Sequence, residues 1–532
     1  MEARVAGVHD LAVGTMRKVA VGDRSCLLVK TATGFHAYPA QCPHYHGPLE
    51  LGVLDGERLV CPWHQAVFSA EDGDLLEPPS FFGLPSYQVR RDGDDVYVTV
   101  PDDDRGTRAM PMTDLDLQAD RRTVLILGAG AAGAGAAEAL RQAGFAGRIV
   151  MISAEDRLPY DRPNCSKDLL SGAMPASWMP LRSAAFYEKR GIERLHGRVT
   201  AADVRSRTLT LEDGVVLTGD ALLLAPGGAP RRLSVPGAEL DGVFTLRSWD
   251  DCESIVAALE GARSAVVIGA SFIGLEVAAS LRHRDLDVTV VALEEVPFAR
   301  LFGPGVGTAL RTLHEEHGVG FRLGRTVTAL DGDGRVHGVT LDDGSELPAD
   351  IVVVGIGVQP ATGFVDGALT LSDGALSVDA HLRVAPGVWA AGDIAAWPAA
   401  HTGLRVRIEH WRLALQHGRA AAFDIAGRGA PFAGVPFFWT QQYDTRLGYA
   451  GYAGDPAGAI IAGRPQDRDF LVYYFPGGAA SDRPCGILGT RDTQIAAFAE
   501  LMRRDSLPTA DELRTDPELD LAQRLRTRGS AS

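Results

Sequence analysis

Cysteine is scarce, with six in 532 residues. That excludes a disulfide-built scaffold and fits a reducing compartment, where thiols bind metals or stay buried. Surplus positive charge is also missing: 52 Lys and Arg stand against 68 Asp and Glu, a net charge of −16. Such a chain is poorly suited to follow a phosphate backbone or an anionic bilayer, so neither nucleic acid nor membrane is expected as a partner. No apolar run has membrane length; the longest, from Val124 to Ala137, is full of Gly and Ala and ends at Glu138. The first thirty residues lack a basic stretch followed by an apolar core, so the expected location is cytoplasmic. A hydrophobic content of 46% and a charged content of 23% are those of an ordinary globular protein. Disordered, fibrous, membrane-spanning and secreted-miniprotein readings therefore drop out. At ~150 residues per domain, the length predicts three or four domains.

Residues 1–100 read as short β segments, such as Arg24–Lys30 and Gly34–Tyr38, punctuated by Gly, Pro and Asp. This is the texture of an all-β module. Residues 101–120, with Asp102, Asp103, Asp114, Asp116 and Asp120, read as a solvated acidic linker. From Arg121 apolar strands, glycine turns and Ala/Leu-rich helices alternate, the α/β pattern. Val124–Gly133 and Val266–Gly274 resemble each other, which predicts two nucleotide-binding domains built alike. The expected boundaries are 121–247 with 371–430 for the first and 248–370 for the second. Dense aromatics after Pro431 predict a C-terminal α+β domain over 431–532, with a polar, frayed tail from about Ser506.

Cys42-Pro43-His44 is followed, after sixteen intervening residues, by Cys61-Pro62-Trp63-His64. Two Cys–His pairs on separate loops suit a [2Fe–2S] cluster whose irons differ: Cys42 and Cys61 on one as thiolates, His44 and His64 on the other as neutral imidazoles. A structural zinc site is the competing reading, but zinc ligands usually group Cys with Cys and His with His. The pattern resembles the Rieske family, and its lack of a second Cys in each loop is closer to Rieske-type ferredoxins than to respiratory-complex members. The resemblance gives His46 no ligand role, and Pro62 and Trp63 are expected to shape the dry shell of the cluster.

Gly128-x-Gly130-x-x-Gly133 follows an apolar strand and opens a helix, where a backbone free of Cβ atoms lets a pyrophosphate reach a helix N-terminus. Glu155 stands where a carboxylate grips a ribose diol, and Gly392-Asp393 offers an acid to a ribityl or phosphate hydroxyl. Together these resemble the two-dinucleotide flavoprotein reductases, which implies FAD on the first α/β domain. Gly269-x-Ser271-x-x-Gly274 repeats the turn with Ser at the middle position, as expected for a nicotinamide nucleotide. Ala292 stands where many relatives have a ribose-binding acid, with Glu294 and Glu295 just beyond. Two carboxylates without an Arg cluster disfavour a 2′-phosphate, so NADH is expected.

Pro159-Tyr160-Asp161-Arg162-Pro163-Asn164-Cys165-Ser166-Lys167 closely resembles a segment of the family that joins apoptosis-inducing factor to the ferredoxin reductases of aromatic-ring oxygenases and cytochromes P450. The resemblance implies that Arg162 touches FAD and that Lys167 pairs with Glu276 beside the site of hydride transfer. It also places Trp411 and Trp439 along the flavin ring, although both are equally acceptable as core aromatics. It covers nearly the whole chain, in the arrangement of apoptosis-inducing-factor-like proteins with an N-terminal Rieske domain.

The combined expectation is an NADH-dependent flavoprotein that feeds single electrons to its own cluster and then to an external acceptor, a protein such as an oxygenase or P450. It would act as a monomer or homodimer. One rival is a peroxide or disulfide reductase using Cys165 alone; the other is a redox-sensing signalling protein. The family usually has Leu at the position of Cys165, which favours a buried apolar thiol. Cys26, Cys252 and Cys485 are expected to be structural.

Overall fold

The computed structural model describes residues 1–529 apart from 104, 367–368, 402, 455–457 and 478–481. The N-terminal unit is all-β. Thr15–Val21, Arg24–Lys30 and Phe35–Pro39 form one antiparallel sheet. Glu2–Gly7, Asp95–Thr99 and Gln88–Asp92 form a second. Val53–Asp55, Arg58–Val60, Val67–Ser69 and Leu75–Glu77 form a four-stranded meander. Of the expected cluster ligands, Cys42 and His44 precede this meander, and Cys61 and His64 sit on the loop between its second and third strands.

The first α/β unit has a six-stranded sheet in the order Ile192–His196, Arg148–Ser153, Thr123–Leu127, Ala221–Leu224, Val388–Ala390, Arg383–Ala385. Its first five strands run parallel. Central strands such as Val124–Leu127 and Leu222–Leu224 are buried and apolar on both faces, as in a parallel sheet covered on both sides. The helix Ala131–Gln142 is rich in alanine, the strongest helix former, and its small side chains let the helix Trp411–Ile425 approach closely. At Gly418 an added Cβ would lie 2.0 Å from the Ala132 carbonyl oxygen, so the helix crossing requires glycine there.

The second α/β unit repeats the plan with five parallel strands: Val243–Thr245, Ile351–Val354, Ser264–Ile268, Asp287–Ala292 and Gly320–Leu323. Because Val243–Thr245 pairs in this sheet, its strands begin before residue 248, the expected boundary of the second unit. The C-terminal unit is a five-stranded antiparallel sheet backed by the helix Asp492–Arg503. No helix among the described residues is long and apolar enough to cross a membrane.

Two expectations are corrected. The stretch 101–120 is not free: Arg108–Ala109 pairs with Phe82–Gly83, and the amides of Thr113 and Asp116 donate to the carbonyls of Arg141 and Ala146. The tail is not frayed over its described length. Thr509 caps the helix Ala510–Thr515 in a capping box, and Leu507, Leu513, Leu521 and Leu525 are buried in the C-terminal core. Its polar composition hides a narrow apolar stripe.

Candidate functional site

The two cluster loops are built alike. The amide of Cys42 donates to the Gly47 carbonyl at 2.9 Å, and that of Cys61 to the Ala66 carbonyl at 2.9 Å. Each loop turns on one left-handed residue, His46 (φ 56°) or Gln65 (φ 54°). His46 is therefore the turn counterpart of Gln65, and its ring is exposed. The Cys42 and Cys61 thiols are close enough to influence each other's ionisation, and backbone N–H groups of each one's own loop favour its thiolate. Nδ1 of His44 and Nδ1 of His64 lie 3.1 Å apart. Burial holds both imidazoles neutral, pulling His44 down to about 3. Two thiols on one side and two neutral imidazoles on the other suit a binuclear cluster with unlike irons. Among the described residues no three His, Cys, Asp or Glu converge as a single metal ion needs.

At the first glycine turn Gly128 has φ 105°, and an added Cβ would lie 2.1 Å from the Ala225 carbonyl oxygen; at Gly133 it would lie 1.7 Å from that of Gly128. Gly130 differs, since nothing lies within 4 Å of its absent Cβ. Two glycines thus serve the turn, while the third leaves open space at the helix N-terminus, which fits a pyrophosphate. Glu155 accepts hydrogen bonds from Tyr160 Oη (2.5 Å) and Arg162 Nη2 (2.7 Å). Arg162 also donates to the Arg247 carbonyl, and Arg247 donates to Asp393 Oδ2 at 2.7 Å. Glu155, Arg162 and Asp393 are therefore joined through Arg247, which no motif marks.

At the second turn, Gly269 and Gly274 repeat the close backbone approaches of the first. Ser271 differs from a glycine by capping the following helix: its Oγ accepts from the Gly274 amide and donates to the Gly355 carbonyl. Glu294 and Glu295 are both exposed past Ala292. Arg325, whose amide donates to the Ala292 carbonyl, is the nearby cation, and its guanidinium is held by Asp343 at 2.9 Å.

Lys167 and Glu276 meet at 2.7 Å, with the carboxylate side chain 3% exposed. Ser166 Oγ (2.6 Å) and Thr440 Oγ1 (2.7 Å) also donate to Glu276, so three donors from two segments of the chain saturate it. The strand Phe437–Gln442 carries two faces, as alternation requires. Phe438 and Thr440 face the second α/β unit, where Phe438 packs on Phe272. Phe437 and Trp439 face the N-terminal unit, and the Trp439 ring lies 4.3 Å from that of His64. Tyr45, between His44 and His46, donates to Asp161 at 2.7 Å and accepts from Asn164 at 2.6 Å. The ligand loop is thereby fixed to the segment that carries Arg162 and Lys167. Trp411 is half-buried on the first α/β core at the start of its helix. Sequence reasoning missed Tyr45, Asp161 and Arg247 because each acts through a partner far along the chain.

Cys165 is 2% exposed in a core shared with Tyr160, Leu170 and Cys252. Burial, and next the neighbouring Cys252, push its thiol well above the ordinary value. A thiolate nucleophile is disfavoured there. Cys165→Ala is accordingly expected to keep NADH-dependent dye reduction within about threefold of wild type, as for a buried thiol with no chemical duty. Loss of turnover, measured by NADH oxidation, would assign chemistry to the thiol.

The open glycine turn, the buried Lys–Glu pair and the paired thiol–imidazole loops define a flavin-dependent NAD(P)H oxidoreductase that carries its own iron–sulfur domain. Residues 122–418 match the pyridine nucleotide-disulphide oxidoreductase family, residues 2–88 the Rieske [2Fe-2S] domain and residues 437–525 the reductase C-terminal domain. The chain belongs to the pyridine nucleotide-disulphide oxidoreductase family, and its cofactors are FAD, a Rieske cluster and a nicotinamide nucleotide. It is 40% identical over 489 residues to apoptosis-inducing factor 3 of Homo sapiens, covering 90% of this chain and 80% of the relative. It is 38% identical over 396 residues to the 5,5'-dehydrodivanillate O-demethylase ferredoxin reductase subunit of Sphingobium sp., covering 73% of this chain and 96% of the relative. The solved covalent putidaredoxin reductase–putidaredoxin complex superposes with a TM-score of 0.71 at 30% identity, covering 77% of this chain and 99% of that chain.

Proposed function

We propose that this protein is a ferredoxin reductase and its ferredoxin in one chain, passing electrons from NADH to the fused Rieske cluster and on to an external protein acceptor. The observation that carries the reading is the 4.3 Å contact between His64 and Trp439, one residue before the Thr440 that holds Glu276. Bound FAD supplies the conversion between a two-electron hydride and the single electrons that a Rieske cluster accepts. The residues do the rest. Gly128, Gly130 and Gly133 admit the pyrophosphate, while Glu155, Arg162, Asp393, Trp411 and Trp439 surround the remainder of the flavin site. Lys167, held by Glu276, fixes a positive charge where flavin reduction builds negative charge. Cys42, His44, Cys61 and His64 hold the cluster. Relatives named as ferredoxin reductases of an O-demethylase and of a chlorobenzene dioxygenase support an oxygenase-type acceptor.

Anaerobic addition of NADH tests the reading: bleached flavin bands accompanied by a reduced-Rieske EPR signal are expected. Bleaching without that signal would leave the cluster outside the electron path.

NADH is the expected nucleotide, with Gly269, Ser271 and Gly274 at its pyrophosphate and Glu294 or Glu295 at its ribose. These acids repel a 2′-phosphate, and Asp343 already holds Arg325. kcat/KM for NADH should exceed that for NADPH by about tenfold or more, the size of one like-charge contact of ~1.4 kcal/mol. Glu294→Arg should narrow the gap, and equal values in wild type would show that neither acid faces the ribose.

A further inference from the structure

A ferredoxin that both collects and delivers electrons through one histidine tip must normally leave its reductase between the two events. Here the tip that carries His64 is buried against Trp439, with His64 8% exposed. Three independent features hold it there.

The first is a shared apolar core. Val53, Val60 and Val67 of the N-terminal meander belong to the same buried cluster as Val435, Phe437, Ile487 and Leu501 of the C-terminal unit. Undocking would expose both sides of that core to water. The second is a polar register along one face of the helix Asp492–Arg503. Thr493 donates to the Leu51 carbonyl, Glu500 receives both Nε and Nη2 of Arg58, and Arg503 and Arg504 converge on Asp55, whose side chain is 1% exposed. Such pairs fix alignment more than they add affinity. At the other edge Arg412, 3% exposed, donates to the Gln65 carbonyl at 2.8 Å, to the Pro78 carbonyl at 3.2 Å and to Glu77 at 3.0 Å. Gln65 is the residue after His64, and Arg412 is the residue after Trp411.

The third feature is the connection. Met110 is buried in the N-terminal core, while the Thr113 amide is bonded to the Arg141 carbonyl of the first α/β unit. Only Pro111 and Met112 lie between these anchors, and three fully extended residues span ~10 Å at most. A carrier that swings to a second protein needs a far longer free tether.

We propose that the Rieske domain is a fixed electron port that stays docked through the whole catalytic cycle, with Arg412 as the positioning residue that holds the His64 loop against Trp439. The acceptor comes to this docked cluster. The inference rests on the in-chain relay proposed above, and it changes what the relay requires: no domain release between collecting and delivering an electron.

The test inserts a protease site between Pro111 and Met112 and cuts it in the purified holoprotein. The two pieces should co-elute on size exclusion, and NADH–cytochrome c reduction per molecule should stay within about twofold of the uncut protein and be unchanged on dilution, because the shared core holds the domain without the tether. Separation of the pieces, or a rate per molecule that falls on dilution, would overturn the fixed port. Failure of the relay itself would look different: NADH would not reduce the cluster in the uncut protein, whatever the elution.

Arg412→Gln tests the positioning role. Cytochrome c reduction should fall about tenfold relative to ferricyanide reduction in the same sample, with shifted Rieske EPR g-values, as expected when a residue that orients a ligand loop is lost. Arg412→Lys should recover part of both. An unchanged ratio and an unchanged spectrum in the Gln variant would remove Arg412 from this role.

Discussion

Replacement of His64 by Ala should abolish the Rieske EPR signal and lower NADH-dependent cytochrome c reduction by about two orders of magnitude, the scale at which metal-site residues act. Reduction of ferricyanide, which draws directly on flavin, should persist. Two features separate these outcomes. His64 is one of two imidazoles whose Nδ1 atoms lie 3.1 Å apart, so with the proposed ligand set its loss would leave one iron with a single protein ligand. The glycine turn proposed to take the flavin stands on a different core, built from the sheet around Val124–Leu127 and the helix Trp411–Ile425. FAD content should therefore match wild type. Cytochrome c reduction that is unchanged in a cluster-free variant would mean that acceptors reach the flavin directly.

Lys167→Ala should show the opposite pattern. Reduction of the flavin by NADH should slow by about 10²-fold, the usual cost of removing a preorganised charge from a reacting centre. The cluster should still give its EPR signal on chemical reduction. The substitution also strands Glu276, 3% exposed, with only the hydroxyls of Ser166 and Thr440 as donors. Breaking one side of a buried pair typically costs about 3–5 kcal/mol, and less here because the Lys167 side chain keeps 18% exposure. Lys167→Ala combined with Glu276→Gln should recover thermal stability without recovering the rate of flavin reduction, as measured by melting and stopped-flow absorbance. Recovery of both together would make the pair structural alone.

Local spacing made much of this molecule legible. The alternating Cys–His pairs, the repeated glycine turn and the Pro159–Lys167 segment each show their pattern within a few residues, and the structure joins the first Cys–His loop to the last of these through Tyr45 and Asp161. The all-β, double α/β and C-terminal plan followed from texture alone. What escaped was whatever depends on distant partners. Arg412 meets Gln65 across 347 positions, and Arg58 meets Glu500 across 442, and no pattern near either residue announces the contact. The acidic stretch 101–120 read as solvated because its aspartates are, yet its backbone amides dock on the first α/β unit. The C-terminal tail misled for a related reason: its leucines are few, but they share one buried stripe, and its charges pair, as Arg524 does with Glu512. Glu294 and Glu295 lie exposed just past the strand Asp287–Ala292.

In the proposed relay, electrons reach the Rieske cluster inside the chain, across the His64–Trp439 contact. Rapid mixing of the oxidised holoprotein with one equivalent of NADH, freeze-quenched for EPR at several protein concentrations, tests it most directly. The reduced-Rieske signal is expected to rise at least as fast as steady-state turnover, with a rate independent of protein concentration. A signal that rises more slowly than turnover, or whose rate scales with protein concentration, would show that the cluster is reduced between molecules and would contradict the relay.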